Sequence, residues 1–113
     1  MAETLEWPGK SGTKYRYYTL SSLEASKIKA SPGNYIFAKR SDAGGMIPIY
    51  IGKTEDLSAR LSNHEKWASA KRHGATHVYA HTSTGTEQSR LNEEQDLIAR
   101  WNPPLNVHHR TVG

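Results

Sequence analysis

The chain has 113 residues, 35% of them hydrophobic, which is the size of one small domain. Cysteine is absent, which excludes a disulfide framework, a thiolate metal site and a cysteine nucleophile. The formal net charge of +4 favours a polyanionic partner such as nucleic acid. No apolar stretch has the length of a signal peptide or a membrane span, so we expect a cytoplasmic protein without membrane association.

The first 32 residues predict a β arm and a short helix. Aromatic and β-branched side chains over residues 15–19 favour a strand, after a turn at residues 9–12. Residues 21–24 have the pattern of a capping box, in which the Ser21 side chain bonds the amide of Glu24 and opens a helix. Pro32 is expected to end that helix.

The arm is also a candidate surface for nucleic acid, because aromatic rings stack on bases and basic side chains contact phosphates. An ordinary edge strand explains the same composition equally well. The residues concerned are Lys14, Tyr15, Arg16, Tyr17 and Tyr18.

A β-hairpin is predicted next, with strands at residues 34–39 and 47–51 joined by the glycine-containing loop 41–45. Pro48 has no amide hydrogen to donate, so we expect it at an edge, at a bulge or at the start of its strand. Thr54 is suited to cap a helix that begins near Glu55.

A third strand is predicted over residues 76–82, after Gly74, and a last helix over residues 86–101. The fold class is therefore α+β, with a central, mostly antiparallel, three-stranded sheet flanked by helices and preceded by the β arm. One domain spans residues 1–113. It divides into an arm and short helix (1–32), a core (33–106) and a tail (107–113).

Glu94 breaks the pattern of the last helix. Leu91, Ile98 and Trp101 lie on one stripe at 100° per residue, and Glu94 falls inside that stripe. Burial of an unpaired carboxylate is costly, so Glu94 should meet a cation, a metal or a strong donor. A helix acid at the margin of the core, paired with a core arginine, explains the same periodicity.

Arg60 and His64 are four residues apart and flank the stripe formed by Leu57 and Leu61 on the preceding helix. Both side chains should therefore emerge at the core boundary on one side. Taken singly, each is typical of an ordinary surface residue.

Histidines recur at positions 73, 77 and 81, a spacing that would align metal ligands on a helix. The strand predicted over residues 76–82 argues against a zinc site there. On a strand, His77, Tyr79 and His81 share one face, which is expected to be solvated or to face DNA.

Five separated elements occur in order between residues 33 and 106, about two thirds of the chain. They are Gly33-Asn34-Tyr35, Tyr50-Ile51-Gly52, Arg60 with His64, Glu94, and Asn106 after Pro103-Pro104-Leu105. Together they resemble the GIY-YIG nuclease superfamily. Asn34 departs from the isoleucine that is usual in the family, and the separation between the first two motifs is somewhat long.

The resemblance implies a phosphodiesterase site in which Tyr35 receives or orients the proton of the attacking water, assisted by Tyr50 or His64. Since a tyrosine with a pKa near 10 is a poor base at pH 7, His64 competes with Tyr35 for this role. Arg60 would bind the scissile phosphate in bidentate fashion, and Lys53 would act similarly or tune Tyr35.

The remaining motif positions are assigned by the same resemblance. Glu94 matches the metal-binding glutamate, and a single carboxylate suits Mg²⁺, for which Mn²⁺ can substitute. Asn106 would bind substrate or support the backbone of the site. Gly33 and Gly52 are read as positions of close backbone approach, or as simple turn glycines.

The resulting hypothesis is a metal-dependent DNA endonuclease with a one-metal mechanism that leaves 5′-phosphate and 3′-hydroxyl ends. We expect it to be directed by DNA structure or by single strands, with little sequence specificity, or to obtain specificity from a partner protein. The alternatives are a catalytically silent nucleic-acid-binding or protein-binding module, and a sequence-specific restriction or homing-type nuclease.

Overall fold

The computed structural model describes residues 4–106, and the tail predicted at residues 107–113 lies outside the described residues. In chain order the elements are β1 (Thr4–Pro8), β2 (Lys14–Leu20), the 3₁₀ turn Ala25–Lys27, β3 (Gly33–Arg40), β4 (Met46–Thr54), α1 (Leu57–Ser62), α2 (Lys66–Arg72), β5 (His77–Thr82) and α3 (Glu87–Trp101). In the described range, no helix is long and apolar enough to cross a bilayer.

The described strands form a single antiparallel sheet in the order β1-β2-β5-β3-β4. The predicted α+β class is confirmed, but the predicted three-stranded sheet with a separate arm is wrong. The arm is itself a β-hairpin, and its second strand pairs with β5 from Tyr18 to Leu20. This pairing satisfies the edge of β5 that β3 leaves open, since backbone donors and acceptors at a free sheet edge need partners.

The helix predicted after Ser21 is reduced to the 3₁₀ turn Ala25–Lys27. The capping box does not form, because the Glu24 amide donates to the neighbouring Ser22 Oγ at 3.1 Å instead. Such a local side-chain bond offers the backbone an alternative to the helical pattern.

The start of α1 also differs from the prediction. Asp56, rather than Thr54, is the N-cap residue, and its carboxylate accepts from the Ala59 amide at 3.2 Å. Thr54 accepts from the Asp56 amide at 3.1 Å, so it organises the turn that leads into the helix. The helical segment then breaks at residues 63–65 and continues as α2.

The predicted hairpin is present, with β3 and β4 longer than predicted. The pairing shifts register between Phe37 and Ala38, and Pro48 lies opposite Ala38 directly after this irregularity. The strand that carries Pro48 is at the end of the sheet. The expectation that Pro48 lies at an edge or a bulge is confirmed.

Helices cover both faces of the sheet. On one face, α3 packs on a cluster consisting of Trp7, Tyr17, Ile36, Ala38, Ile51, Tyr79, Leu97 and Ile98. On the other face, α1 and α2 pack on a cluster consisting of Ile28, Tyr35, Phe37, Ile49, Leu57, Leu61, Ala70, Ala75, Val78 and Ala80. Among residues 4–106 the buried polar or charged residues are Asn34, His64, Arg90, Glu94 and Asn106.

Candidate active site

Tyr35 and His64 form the centre of the site. Tyr35 is 1% exposed, and its hydroxyl oxygen lies 2.7 Å from His64 Nε2. The imidazole ring packs edge-on against Tyr35, Phe37 and Tyr50. A histidine four residues after Arg60 therefore reaches the first motif tyrosine through the apolar core.

The hydrogen bonds of His64 assign its tautomer. The Lys66 amide donates to His64 Nδ1 at 3.0 Å, so this nitrogen carries a lone pair and no proton. Burial, with the charge of Arg60, lowers the pKa of His64 to about 4, so the ring is neutral at pH 7. Its single proton is on Nε2, which donates to the Tyr35 oxygen.

Tyr35 itself is held as a neutral phenol in the absence of other ligands. Burial raises its pKa above 10, and the charge of Tyr50 acts in the same direction. The hydrogen bond and the positive charge of Arg60 oppose these effects. A group that brings further positive charge to this hydroxyl would favour its phenolate.

Gly52 makes room for the Tyr35 ring. The two residues are directly paired across β3 and β4, and a Cβ atom at Gly52 would lie 2.5 Å from the Tyr35 hydroxyl oxygen. Gly33 is equally constrained, because a Cβ atom there would collide with the His81 carbonyl oxygen and the Leu57 side chain. Of the two sequence interpretations, close approach applies to both glycines.

Arg60 is engaged by a neighbouring acid. Its guanidinium forms a bidentate ion pair with Glu65, with nitrogen–oxygen distances of 2.7 and 2.8 Å. Sequence reasoning did not assign Glu65 a role, although it is the single acid between residues 60 and 81. The pair shows that the fork of Arg60 is oriented to receive a planar anion at this position.

Glu94 is 4% exposed on the inner face of α3, as its position on the apolar stripe predicts. Its Oε1 is buried and has no hydrogen-bond partner in the described part of the chain. Burial raises its pKa to about 7, while the charge of Lys53 acts in the opposite direction. Its charge also raises the pKa of both Tyr35 and Tyr50, so the three groups are electrostatically coupled.

The inner face of α3 differs in one respect from the prediction, since Arg90 is buried on it and Leu91 is only half-buried. The Arg90 guanidinium donates to the Gly85 carbonyl at 3.1 Å. Within residues 4–106 no ion pair joins Arg90 to Glu94, so the alternative of an acid paired with a core arginine does not describe this helix.

Lys53 and Asn106 take different positions at the site. Lys53 forms an ion pair with Glu87 at 3.2 Å and keeps a quarter of its side chain exposed. Asn106 is 1% exposed, and its amide bonds the backbone of Ile51 in both directions, at 2.9 and 2.8 Å. Asn106 therefore supports the Tyr50-Ile51-Gly52 backbone, which is the second of the two roles considered from the sequence.

The expected surfaces of the arm and of β5 need correction. Tyr17 is fully buried, and Tyr15 donates to Asp96 at 2.8 Å, which leaves Tyr18 as the exposed ring of the three. Tyr79 is buried against α3 and His81 Nε2 lies 2.6 Å from Glu93, so these two residues of the shared β5 face are covered, whereas His77 remains partly exposed. No cluster of three or more His, Cys, Asp or Glu residues able to hold a metal occurs within residues 4–106.

The chain is similar in sequence to known bacterial proteins. No protein-family model matches the chain. The UvrABC system protein C of Corynebacterium jeikeium is 36% identical over 94 residues, which are 77% of this chain and 13% of that protein. The protein of the same name from Deinococcus radiodurans is 35% identical over 82 residues, which are 71% of this chain and 12% of that protein. The chain thus spans about an eighth of these relatives.

In structure, the chain matches a single domain rather than a whole multidomain protein. The N-terminal GIY-YIG endonuclease domain of UvrC from Thermotoga maritima, bound to its catalytic magnesium, superposes with a TM-score of 0.55 and 29% identity. The match covers 70% of this chain and 86% of that domain. A tyrosine-to-phenylalanine variant of the same domain, also bound to the divalent cation, matches at 27% identity with the same TM-score and coverage. The sequence similarity, the matching fold and the motif residues together establish that the chain belongs to the GIY-YIG nuclease superfamily.

Proposed function

We propose that this domain is a Mg²⁺-dependent DNA endonuclease that hydrolyses phosphodiester bonds and leaves 5′-phosphate and 3′-hydroxyl ends. The observation that carries the proposal is the buried Glu94 carboxylate, which has an unpartnered oxygen and acts electrostatically on Tyr35 and Tyr50. A burial this unfavourable is typical of a functional site rather than of a structural one.

The donor set fits Mg²⁺. This ion retains several waters and is usually held by one or two carboxylates together with substrate phosphate, so Glu94 suffices without a dedicated cage. Bound there, Mg²⁺ would neutralise charge on the phosphoryl oxygens and on the leaving 3′-oxygen. The magnesium-bound Thermotoga maritima domain supports this assignment of the metal, and the single carboxylate supports a one-metal mechanism.

Tyr35 is proposed to accept the proton of the attacking water. The Lys66 amide occupies His64 Nδ1 and the Nε2 proton points at Tyr35, so the imidazole has no lone pair directed at the tyrosine. His64 instead donates a hydrogen bond that stabilises the Tyr35 phenolate, as does the positive charge of Arg60. Tyr50 adds a second phenol beside Tyr35 and orients the water.

Arg60 is proposed to hold the scissile phosphate. Its planar guanidinium donates to both oxygens of Glu65, and the same fork can donate to two oxygens of a phosphate. DNA would displace the exposed Glu65 carboxylate, which is 63% exposed and can turn into solvent. Lys53, which is beside Glu94, would contribute a second positive charge near the phosphate.

Specificity is proposed to depend on DNA structure or on unpaired strands. The described elements all belong to the one sheet and its covering helices, and none forms a separate module for reading base edges in a groove. A partner protein, or further chain beyond this domain, would supply any sequence specificity.

A cleavage assay tests the activity. Supercoiled plasmid and single-stranded DNA are incubated with the wild type and with the Glu94→Gln and Arg60→Ala variants, in Mg²⁺ or in EDTA. We expect the wild type to cut only with metal and both variants to lose cutting. Glu6→Gln, an exposed glutamate on β1, is the matched control and should cut normally. Metal-independent cutting, or normal cutting by Glu94→Gln, contradicts the proposal.

A pH–rate profile at saturating Mg²⁺ separates the two candidate bases. If Tyr35 is the base, the rate should rise about tenfold per pH unit from pH 6 to 9, because the phenolate fraction rises in that proportion. If His64 were the base, the rate would be constant above about pH 5, because its pKa is about 4. Tyr35→Phe should abolish the rise, whereas His64→Ala should lower the rate and keep the slope.

A further inference from the structure

A groove on the α1 side of the sheet lies outside the residues assigned above. It has a volume of about 410 Å³ and runs between β2, the segment around the 3₁₀ turn and the start of α1. Its walls include Tyr18, Leu20, Lys27, Ile28, Lys29 and Leu57, and its floor is formed by residues 80–82 of β5. We call it the Tyr18 groove.

The Tyr18 groove combines an exposed aromatic ring with unpaired positive charge. Tyr18 is 47% exposed, whereas Tyr15 and Tyr17 of the same strand are engaged by Asp96 and Glu93. Lys27 and Lys29 are exposed, and neither has a carboxylate partner among residues 4–106. None of the lining residues is acidic. An aromatic platform beside free lysines is the composition that binds unpaired nucleic acid.

The groove and Tyr35 of the proposed catalytic centre are joined by one row of residues across the sheet. Tyr35 pairs with Ala80 on β5, and Ala80 pairs with Tyr18 on β2, so the three residues form one cross-strand row. Directly paired residues project to the same face, and neighbouring strands are about 4.8 Å apart. Tyr18 is therefore about 10 Å from Tyr35, a distance that about three stacked nucleotides span. Ala80, the middle residue of this row, lines the groove.

A second connection runs through α1. Leu57 lines the groove and begins the helix that presents Arg60 one turn later. The Leu57 amide donates to the Ser31 carbonyl at 2.9 Å, which fixes the segment that carries the two lysines relative to this helix. A strand whose phosphate is held by Arg60 would thus enter or leave along the Tyr18 groove.

We propose that the Tyr18 groove binds an unpaired DNA strand next to the scissile phosphate, with one base stacked on Tyr18 and the backbone held by Lys27 and Lys29. The inference rests on the proposed nuclease function, because it defines the substrate of that site as DNA with a single-stranded segment. A base within a duplex is already stacked on both sides and cannot lie on the ring, so duplex DNA is a poorer ligand of this groove.

Binding is measured without metal, so that no cutting occurs. Fluorescence anisotropy in EDTA gives the Kd for a labelled oligothymidine of about 12 nucleotides and for a duplex of equal length. We expect the wild type to prefer the single strand. Tyr18→Ala should weaken that binding about tenfold or more, whereas Tyr18→Phe should stay within about twofold, because it keeps the ring. Ile47→Ala, at a second exposed large hydrophobic residue outside the groove, is the matched control.

The lysines are tested by the salt dependence of Kd. The double variant Lys27→Gln/Lys29→Gln should reduce the slope of log K against log salt by about 1.4, at about 0.7 per lost phosphate contact on a single strand. The double variant Lys10→Gln/Lys71→Gln removes the same charge from the β1–β2 turn and from α2, away from the groove, and should keep the slope.

The outcomes distinguish the two proposals. If the wild type cuts DNA while Tyr18→Ala binds oligothymidine as the wild type does, the groove proposal is wrong and the nuclease proposal stands. If the wild type binds the single strand through Tyr18 but cuts nothing with Mg²⁺, the nuclease proposal is wrong and the groove stands as a binding site. Equal affinity for duplex and single strand in all variants overturns the groove proposal.

Discussion

Two adjacent carboxylates of α3 have opposite environments. Glu93 accepts hydrogen bonds from the Tyr17 hydroxyl and from His81 Nε2, both at 2.6 Å, and its side chain is 13% exposed. Glu94 is buried more deeply, and its Oε1 has no partner in the described part of the chain. One helix therefore carries an acid whose hydrogen bonds tie it to β2 and β5, followed directly by an acid with an unsatisfied oxygen.

Glu93 has the contacts of a structural residue, whereas Glu94 has the environment expected of the proposed metal site. His81 Nδ1 faces the Thr82 carbonyl and Nε2 faces Glu93, so both ring nitrogens meet acceptors and the imidazole is a cation paired with the carboxylate. Such a network stabilises the junction between the hairpin, β5 and α3. Within residues 4–106 no donor bonds Glu94 Oε1, and under the proposed function a bound cation would offset the cost of burying this carboxylate.

The largest expected effect comes from Glu94→Gln. Loss of the metal site should reduce cleavage about a thousandfold or more, because it removes several kcal/mol of transition-state stabilisation. The free energy of unfolding of the metal-free protein at pH 8 should increase, since a buried charge is removed. Single-turnover cleavage and urea denaturation measure the two quantities. A destabilised variant would mean that Glu94 is a structural acid like Glu93.

Glu93→Ala should destabilise the protein, whereas Glu94→Gln should stabilise it. We expect unfolding free energy to fall by about 2–3 kcal/mol, because the Tyr17 hydroxyl and the His81 cation lose their common acceptor. Urea denaturation at pH 7 measures the loss. Tyr17→Phe, which removes one of the two donors and leaves the ion pair, should cost about half as much. An unchanged midpoint for Glu93→Ala contradicts a structural role.

The pH dependence of protein stability provides a further test of the buried environment of Glu94. The pKa of Glu94 is raised from 4.5 to about 7 by burial, so the folded state retains a proton that the unfolded state loses. Stability of the metal-free protein should therefore fall as pH rises from about 4.5 to 7, by about 1.4 kcal/mol per unit at most. Glu94→Gln should lack this decline, and Mg²⁺ should reduce it in the wild type. A flat wild-type profile across this window contradicts the assignment.

His81 is expected to cause a second pH dependence of stability, at higher pH than that of Glu94. Burial alone would lower the pKa of His81, but the hydrogen bond and charge of Glu93 outweigh it and raise that pKa above 6.5. A raised histidine pKa contributes stability below pH 6.5 that is lost as pH rises through the folded pKa. The decline that remains in Glu94→Gln above pH 6.5 should disappear when His81→Gln is added.

The smallest effect is expected at Glu65. Removal of its charge by Glu65→Gln frees the Arg60 fork, and because the pair is exposed the gain in DNA affinity should be at most about fivefold. The Kd for DNA in EDTA measures it. Glu55→Gln, an exposed acid just before α1 and without an ion pair among residues 4–106, controls for net charge. Equal gains in both variants would mean that only overall charge matters.

The sequence predicted most of the core elements because their signals are local. The β3–β4 hairpin, β5 and α3 follow from runs of apolar residues and from the turn residues between them. The sequence did not predict that the arm joins the sheet. The pairing between β2 and β5 joins residues about 60 positions apart, and a local sequence pattern contains no information about such a pairing. The short helix predicted after Ser21 is reduced to a turn because the Glu24 amide donates to Ser22 instead of Ser21.

The motif order indicated the superfamily and the metal, and helical periodicity indicated the position of Glu94 on the apolar stripe. Only the tertiary structure decided how each side chain is used: the tautomer of His64, the engagement of Arg60 by Glu65, the support that Asn106 gives to β4, and the single exposed tyrosine of the arm. The physical reason is that residue type and spacing determine which face of an element a side chain occupies. Hydrogen-bond partners and burial depend on what the rest of the chain brings to that face.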